Sequence, residues 1–174
     1  MNDWNKSGRP DDFISIFEDW RFDWLDVPAL IRSATQVFEY PMVDRDPVPR
    51  WTFGRVTLLG DAAHPMYPRG SNGAGQAIID ARFLTGQIKK LGATEEALLA
   101  YETVRNPATA KVVLTNRTDP PDAILREVWQ RSGGKRFERI EDVISACELA
   151  AISESYKKVA GFDRETLKAR ASFV

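Results

Sequence analysis

The sequence predicts an α+β chain, rich in helix, with a few strands confined to its N-terminal half. Three observations carry this. Apolar residues recur at helical spacing over 73–91, again after Thr94, and again from Ile140 to Val159. A short β-branched and apolar run, Arg55-Val56-Thr57-Leu58-Leu59, is stopped by Gly60. The first 50 residues are aromatic and punctuated by proline.

Taken in order, Asp11-Asp12 ahead of Phe13, Ile14, Ile16, Phe17 and Trp20 predict a capped amphipathic helix with its aromatic face in the core. Asp26-Val27-Pro28 opens a second short helix to about Ser33, because proline is tolerated in a first turn. Gln36 to Asp44 reads as an extended edge strand interrupted by Pro41. Pro47, Pro49 and Gly54 mark a turn region around Trp51, and Arg55–Gly60 reads as a buried strand. A Pro/Gly loop over 61–72 leads into a helix from Gly73 to about Leu91, with Ala77, Ile78, Ala81, Leu84 and Ile88 on its apolar stripe. The next helix carries Ala97, Tyr101, Val104, Ala108 and Val112, and Pro107 is expected to kink or divide it. Asp119-Pro120-Pro121-Asp122 breaks the chain and caps a helix to about Gln130, and Ser132-Gly133-Gly134 is a linker. The last helix has one stripe through Ile140, Val143, Ile144, Cys147 and Ala151 and another through Leu149, Ile152, Tyr156 and Val159. Gly161 is its expected C-cap, and Cys147 its expected buried, inert thiol.

Composition removes several function classes. The 24 basic and 25 acidic side chains leave a net charge of −1, without the basic stripe that nucleic-acid binding needs. No stretch approaches the length of a membrane span. Met1–Lys6 has no apolar h-region, which predicts a cytoplasmic protein. One cysteine and one histidine, Cys147 and His64, exclude an internal disulfide and a Cys/His zinc cluster.

The chemistry is concentrated in Gly60-Asp61-Ala62-Ala63-His64-Pro65-Met66-Tyr67-Pro68-Arg69-Gly70-Ser71-Asn72-Gly73-Ala74-Gly75. A hydrophobic strand ends in Gly-Asp, and a loop then leads to a helix opening with small residues. Ligands bind at the carboxyl ends of strands in open α/β sheets, and free amides at a helix N-terminus suit an anionic or carbonyl-rich ligand. Asp61 supplies two acceptors for hydroxyl groups, and Gly73 and Gly75 allow a planar ligand to approach the backbone. Spacing alone leaves a plain strand–loop–helix crossover equally open. The segment has neither the P-loop pattern nor a Gly-x-Ser-x-Gly nucleophile elbow.

With its flanks Arg55–Leu59 and Ala77-Ile78-Ile79-Asp80-Ala81, this segment resembles the second flavin-binding motif of the para-hydroxybenzoate-hydroxylase-like FAD-dependent monooxygenases. Trp20-Arg21-Phe22, Glu39–Pro47 and Pro49-Arg50-Trp51 resemble the substrate-domain end of a subgroup that includes phenazine-carboxylate monooxygenases. The resemblance runs from about Trp4 to Arg117 and is looser beyond. It implies that Asp61 accepts hydrogen bonds from the ribityl chain of FAD and that Gly60 lies near the pyrophosphate. It implies that Pro68 lies beside the isoalloxazine, where oxygen is activated, and that the amides of Gly73, Ala74 and Gly75 face its pyrimidine edge. It implies NAD(P)H as co-substrate, and O2 with a small aromatic substrate as the other reactants.

The family's N-terminal strand–Gly-x-Gly-x-x-Gly–helix unit does not occur in this sequence. The resemblance therefore implies the C-terminal portion of a FAD-binding α/β monooxygenase fold, with its N-terminal Rossmann unit missing. On that expectation 1–50 is a remnant of the substrate-binding sheet, 51–116 the second flavin-binding segment and 117–174 a helical extension. The chain alone is expected to bind FAD weakly and to be inactive. Uncovered apolar surface is expected along Val56–Leu59 and on the first face of the Gly73 helix. A homodimer or a chain carrying the N-terminal half is the expected partner, and a non-catalytic helical interaction module is the alternative.

Other residues have two readings each. Met66 and Tyr67 line a substrate cavity or simply pack, and Arg69 meets a substrate carboxylate or faces solvent. His64 reads as a structural hydrogen-bonder rather than a proton donor. Asp44, Asp46, Arg45 and Arg50 read as paired surface charges, and Arg131, Lys135, Arg136 and Arg139 as a solvated face.

Overall fold

In the computed structural model, which describes residues 5–169, contacts gather into two units, one ending at Met42 and one beginning at Val43. Met1–Trp4, part of the segment read for a leader, lie outside the described residues.

The first unit consists of short pieces. Strands β1 (Lys6–Ser7) and β4 (Phe38–Glu39) pair antiparallel, as do β2 (Arg21–Phe22) and β3 (Leu25–Asp26). Helix α1 (Val27–Ser33) starts as expected. Asp26 accepts from the Ala29 amide at 2.8 Å, and Pro28 fills the first turn. The amphipathic helix over 11–20 is absent. Two 3-10 turns, Pro10–Asp12 and Ile14–Phe17, stand in its place, separated by Phe13 at φ −138°. Helical spacing fails here because the stripe is only partly covered among the described residues: Phe13, Ile14 and Phe17 are half-buried. Ile16, Trp20 and Phe22 are exposed and Trp24 is 80% exposed, so the aromatic cluster is not a core. Its members pack on each other, Phe17 against Trp20 edge-on at 5.0 Å and Phe22 stacked on Trp24 at 5.7 Å. The strand expected over 36–44 shrinks to Phe38–Glu39, just ahead of Pro41, which has no amide to give a ladder.

The second unit is built on helices. A hairpin of β5 (Thr52–Phe53) and β6 (Val56–Thr57) turns at Gly54, φ +61°. The strand expected over Arg55–Gly60 is therefore two residues long and is not buried. Val56 is 63% exposed because β5 is its single strand neighbour among the described residues. Helices α2 (Gly73–Leu91) and α3 (Glu95–Thr118) form a close pair joined at Gly92, φ +73°. Thr94 caps α3 through the Ala97 amide at 3.3 Å. Pro107 lies on the exposed side of α3 and does not divide it.

The inward faces differ from the sequence stripes. On α2 the buried residues are Gln76, Ile79, Asp80 and Gly86, whereas Ile78, Ala81 and Ile88 are exposed. On α3 they are Ala97, Tyr101, Arg105, Thr109, Val112, Val113 and Asn116, whereas Val104 and Ala108 are exposed. The two helices meet through the polar Asp80, Gln76 and Arg105 as well as through apolar side chains, so an apolar stripe alone does not mark the contact.

Helix α4 (Ala123–Ser132) ends at Gly133 in the left-handed region. Helix α5 (Ala146–Ala160) is shorter than the stripes implied, since Ile140–Asp142 is a 3-10 turn. A reciprocal capping box between Ser145 and Glu148 sets its start, and Gly161 at φ +73° ends it as expected. Its Leu149–Ile152–Tyr156–Val159 stripe faces inward. Cys147 points out and is exposed, contrary to the buried thiol expected. A last helix, α6, spans Arg164–Ala169.

Two apolar clusters hold this unit. Trp51, Ala63 and Tyr101 form one with Val48, Leu58, Phe83 and Leu84 around them, and Met66, Val112 and Val113 form the other against Val159. Each fully buried large side chain contributes about 2–3 kcal/mol. Side chains of α3 then fix the 48–58 segment. Glu102 accepts the Thr52 amide at 2.7 Å, Asn106 donates to the Val48 carbonyl at 2.9 Å, and Tyr101 donates to the Leu58 carbonyl at 3.3 Å.

Candidate functional site

After β6 the chain makes a 3-10 turn over Gly60–Ala62, closed by the Ala63 and His64 amides on the Gly60 carbonyl at 2.8 and 2.9 Å. Gly60 has φ +60°, and a Cβ there would lie 3.2 Å from the Ala77 Cβ. Glycine is needed on both counts. The turn presents the Asp61 carboxylate to solvent at the start of α2, where Asp61 Oδ1 is 3.8 Å from the position a Gly73 Cβ would take. Asp61 has no hydrogen bond or ion pair among the described residues.

The second wall is the N-terminus of α2. Pro68–Gly70 forms a 3-10 turn, Ser71 adopts φ +49°, and Asn72 is the N-cap residue. The Asn72 side chain does not cap the helix; it donates to the Tyr156 hydroxyl at 2.9 Å. The amides of Gly73, Ala74 and Gly75, the first three positions of α2, thus keep their hydrogens without a capping side chain. They carry the positive end of the helix dipole. An open carboxylate beside uncapped amides fits a ligand bearing hydroxyl donors next to carbonyl acceptors or negative charge.

A buried polar cluster stands behind this shelf. Asp80, with 0% of its side chain exposed, accepts from His64 Nε2 at 2.6 Å, Arg105 Nε at 2.6 Å and the Gly60 amide at 3.2 Å. Arg105 also donates to Gln76 Oε1 at 2.7 Å, and Gln76 Nε2 donates to the Ala160 carbonyl at 2.9 Å. Burial pushes the Asp80 carboxyl up, but the hydrogen bonds from His64 and Arg105 outweigh it and hold the group below its ordinary value. Burial likewise raises the Tyr101 and Tyr156 hydroxyls. His64 is buried against Trp51 and bound to Asp80, the structural hydrogen-bonder read from sequence.

The other sequence candidates separate. Pro68 is exposed, in the 3-10 turn that leads into the shelf. Met66 packs with Val112 and Val113, and Tyr67 is half-buried with its carbonyl held by Asn116 Nδ2 at 3.2 Å. Arg69 is paired with Asp122 at 3.0 Å. Arg117 bridges Asp44 and Asp46 at 2.6 Å each. A cleft of about 560 Å³ between α2, α3, α5 and α6 is lined by Phe83, Val104, Ala108, Val112 and Val159, and excludes the Gly60–Asp61 turn.

Asn72, Gln76 and Asp80 lie in the Gly60–Ala81 stretch, and Tyr156 on the stripe of the last helix, without a role assigned from sequence; Arg105 and Asn116 were not marked as site residues at all. One signal was available for two of them, Arg105 and Asn116. Arg105, Thr109 and Asn116 fall at helical spacing with Tyr101 and Val112, polar residues on an otherwise apolar face.

The sequence profile of the FAD binding domain family matches residues 29–116, which include the whole shelf and the Asp80–Arg105 cluster. The chain belongs to this FAD-binding family. It is 47% identical over 156 residues to the phenazine 1,6-dicarboxylic acid hydroxylase PhzS of Lysobacter antibioticus, covering 90% of this chain and 36% of that protein. It is 42% identical over 106 residues to the 3-amino-4-hydroxybenzoate 2-monooxygenase of Streptomyces cremeus, covering 60% of this chain and 26% of that one. With the 6-hydroxynicotinate 3-monooxygenase of Bordetella bronchiseptica it shares 45% identity over 71 residues, 41% of this chain and 18% of the relative. The chain thus spans at most 36% of the length of these curated relatives. The cofactor of the FAD-binding family carries hydroxyl donors on its ribityl chain and carbonyls on its ring, and the donor set of the shelf fits both. No helix among the described residues is long and apolar enough to cross a membrane.

Proposed function

We propose that this chain supplies the flavin-contacting segment of an NAD(P)H- and O2-dependent aromatic monooxygenase. The carrying observation is the exposed Asp61 carboxylate beside the uncapped start of α2. In this reading Asp61 accepts hydrogen bonds from ribityl hydroxyls. Gly60, expected near the pyrophosphate, is buried with its amide on Asp80 and its carbonyl on the Ala63 and His64 amides, and serves by shaping the turn that carries Asp61. The amides of Gly73, Ala74 and Gly75 hold the pyrimidine edge and favour negative charge there. Pro68 shields one flank of the ring from water. Bound FAD, reduced by NAD(P)H, supplies the electrons for oxygen activation. The relatives' names share an aromatic ring bearing a carboxylate, which supports a small aromatic acid as substrate.

Half of the cofactor remains without contacts in this reading. Val56 on β6 is 63% exposed and Ile78 on α2 is 64% exposed, with Ala74, Ala81 and Ile88 exposed along the same helix, which leaves uncovered apolar surface. We assign it to a segment carrying the ADP-binding Gly-x-Gly-x-x-Gly unit, in the same polypeptide or another. The same surface favours the second reading, a helical module acting by protein contact alone.

Titrating FAD into the purified chain separates the two. The flavin reading expects weak binding, seen as a shifted flavin absorbance band with tryptophan quenching, and no NAD(P)H oxidation by the chain alone. Asp61→Ala is expected to abolish the binding without changing the circular dichroism. Unchanged titrations with Asp61→Ala would leave the interaction module as the better account.

A further inference from the structure

Tyr156 lies on α5, outside residues 29–116, and is 8% exposed. Its hydroxyl has two partners. It donates to Asn116 Oδ1 on α3 at 2.5 Å and accepts from Asn72 Nδ2 at 2.9 Å. Asn116 in turn donates to the Tyr67 carbonyl, immediately ahead of Pro68. Tyr156 therefore holds both ends of the turn that runs into α2. Between those ends Gly70 lies so close that a Cβ on it would collide with the Tyr156 hydroxyl.

The consequence concerns Asn72. Asparagine is among the best N-cap residues, its side-chain oxygen accepting the amide two or three positions on. Here that would be Ala74 or Gly75. Instead Asn72 has φ −110° and ψ −13°, away from the extended geometry of a capping residue, and its Nδ2 is tied to the Tyr156 hydroxyl, a hold that orients the side-chain amide with Oδ1 capping no amide of α2. The amides left open are those the proposed cofactor site needs.

We propose that Tyr156 is a positioning residue for the cofactor site. By binding the Asn72 side chain it prevents that side chain from capping α2, and so keeps the Ala74 and Gly75 amides free for a ligand. The α5 helix thereby acts on the site without touching the ligand. The ligand itself rests on the flavin reading above; the hold on Asn72 does not.

Two measurements on the full chain test this. Residue-resolved amide exchange, without flavin, is expected to slow at Ala74 and Gly75 in Tyr156→Phe, because the released Asn72 caps them. Loss of packing alone would speed exchange there. Tyr156→Phe/Asn72→Gly is expected to return both amides to wild-type rates. FAD titration is expected to show about ten-fold weaker binding for Tyr156→Phe and recovery in the double variant. Should Tyr156→Phe not fold, Asn72→Ser, too short to reach Tyr156 yet a good N-cap, gives the same slowing and the same weakening. Unchanged or faster exchange at Ala74 and Gly75 in the single variants overturns the proposal. Absence of FAD binding by the wild type overturns the flavin reading, and the exchange rates still decide the role of Tyr156.

Discussion

Asp80 and Arg105 meet at 2.6 Å with 0% and 6% of their side chains exposed, the centre of the contact between α2 and α3. The pair is unusual only in being well supplied. Asp80 also takes hydrogen bonds from His64 and the Gly60 amide, and Arg105 also gives one to Gln76. Buried ions keep their charge at tolerable cost when their remaining hydrogen-bonding capacity is met in this way.

Removing one member is costly. Arg105→Ala is expected to destabilise the chain by about 3–5 kcal/mol, since it leaves a buried carboxylate without its cation. Asp80→Asn/Arg105→Ala, which removes both charges, is expected to lose less than the sum of Asp80→Asn and Arg105→Ala taken singly. Urea denaturation of the four proteins gives the comparison, and strict additivity would mean that the two side chains do not act as a pair.

Acid is expected to weaken the same cluster. The Asp80 carboxyl lies below its ordinary value of 3.8 in the folded chain, so on acidification the unfolded chain takes up its proton first. The stabilisation is complete above that ordinary value and is lost as the pH falls through the depressed one. Glu148, lowered from 4.5 to about 2 by the Ser145 hydroxyl and then Arg131, acts with the same sign at the start of α5. Denaturation midpoints measured from pH 6 downward should show the gap between wild type and Asp80→Asn closing below about pH 4. Parallel curves would show that Asp80 is not the titrating group.

The sequence made the helical half of this fold legible, and for identifiable reasons. Thr94, Asp26 and Gly161 are local signals that act within a few residues of their own positions, whereas the Ser145–Glu148 capping box was missed and the last helix was expected from Ile140. The strands were overread because a β-branched run becomes a buried strand only if neighbours cover it, and Val56 has one neighbouring strand among the described residues. Helical spacing over 11–20 failed for the same reason. Gly60, Asp61 and Gly73 stood out as a motif because they lie within fourteen residues of one another, a spacing visible along the chain without a distant partner. Asp80, Arg105 and Tyr156 did not, because their meaning comes from partners 16 to 84 residues away: His64 from Asp80 at 16, Asn72 from Tyr156 at 84. Cys147 was misplaced because two stripes run along α5, and the one through Leu149 and Tyr156 faces inward.

Gly60 offers the last test, because two constraints on it can be separated. Its φ of +60° is one that an L side chain adopts at a cost of about 1–2 kcal/mol. Its missing Cβ would also stand 3.2 Å from the Ala77 methyl, a group that cannot rotate away. Gly54 shares the first constraint, with φ +61°, but has nothing within 4 Å of its Cβ position. Gly54→Ala is therefore expected to cost about 1 kcal/mol, and Gly60→Ala about 2–3 kcal/mol in urea denaturation. Because the Gly60 amide is bound to Asp80 and the next residue is Asp61, Gly60→Ala should also weaken FAD binding while Gly54→Ala leaves it unchanged. Equal stability losses at the two positions would remove the Ala77 contact from the account and leave backbone conformation as the sole reason for glycine at this turn.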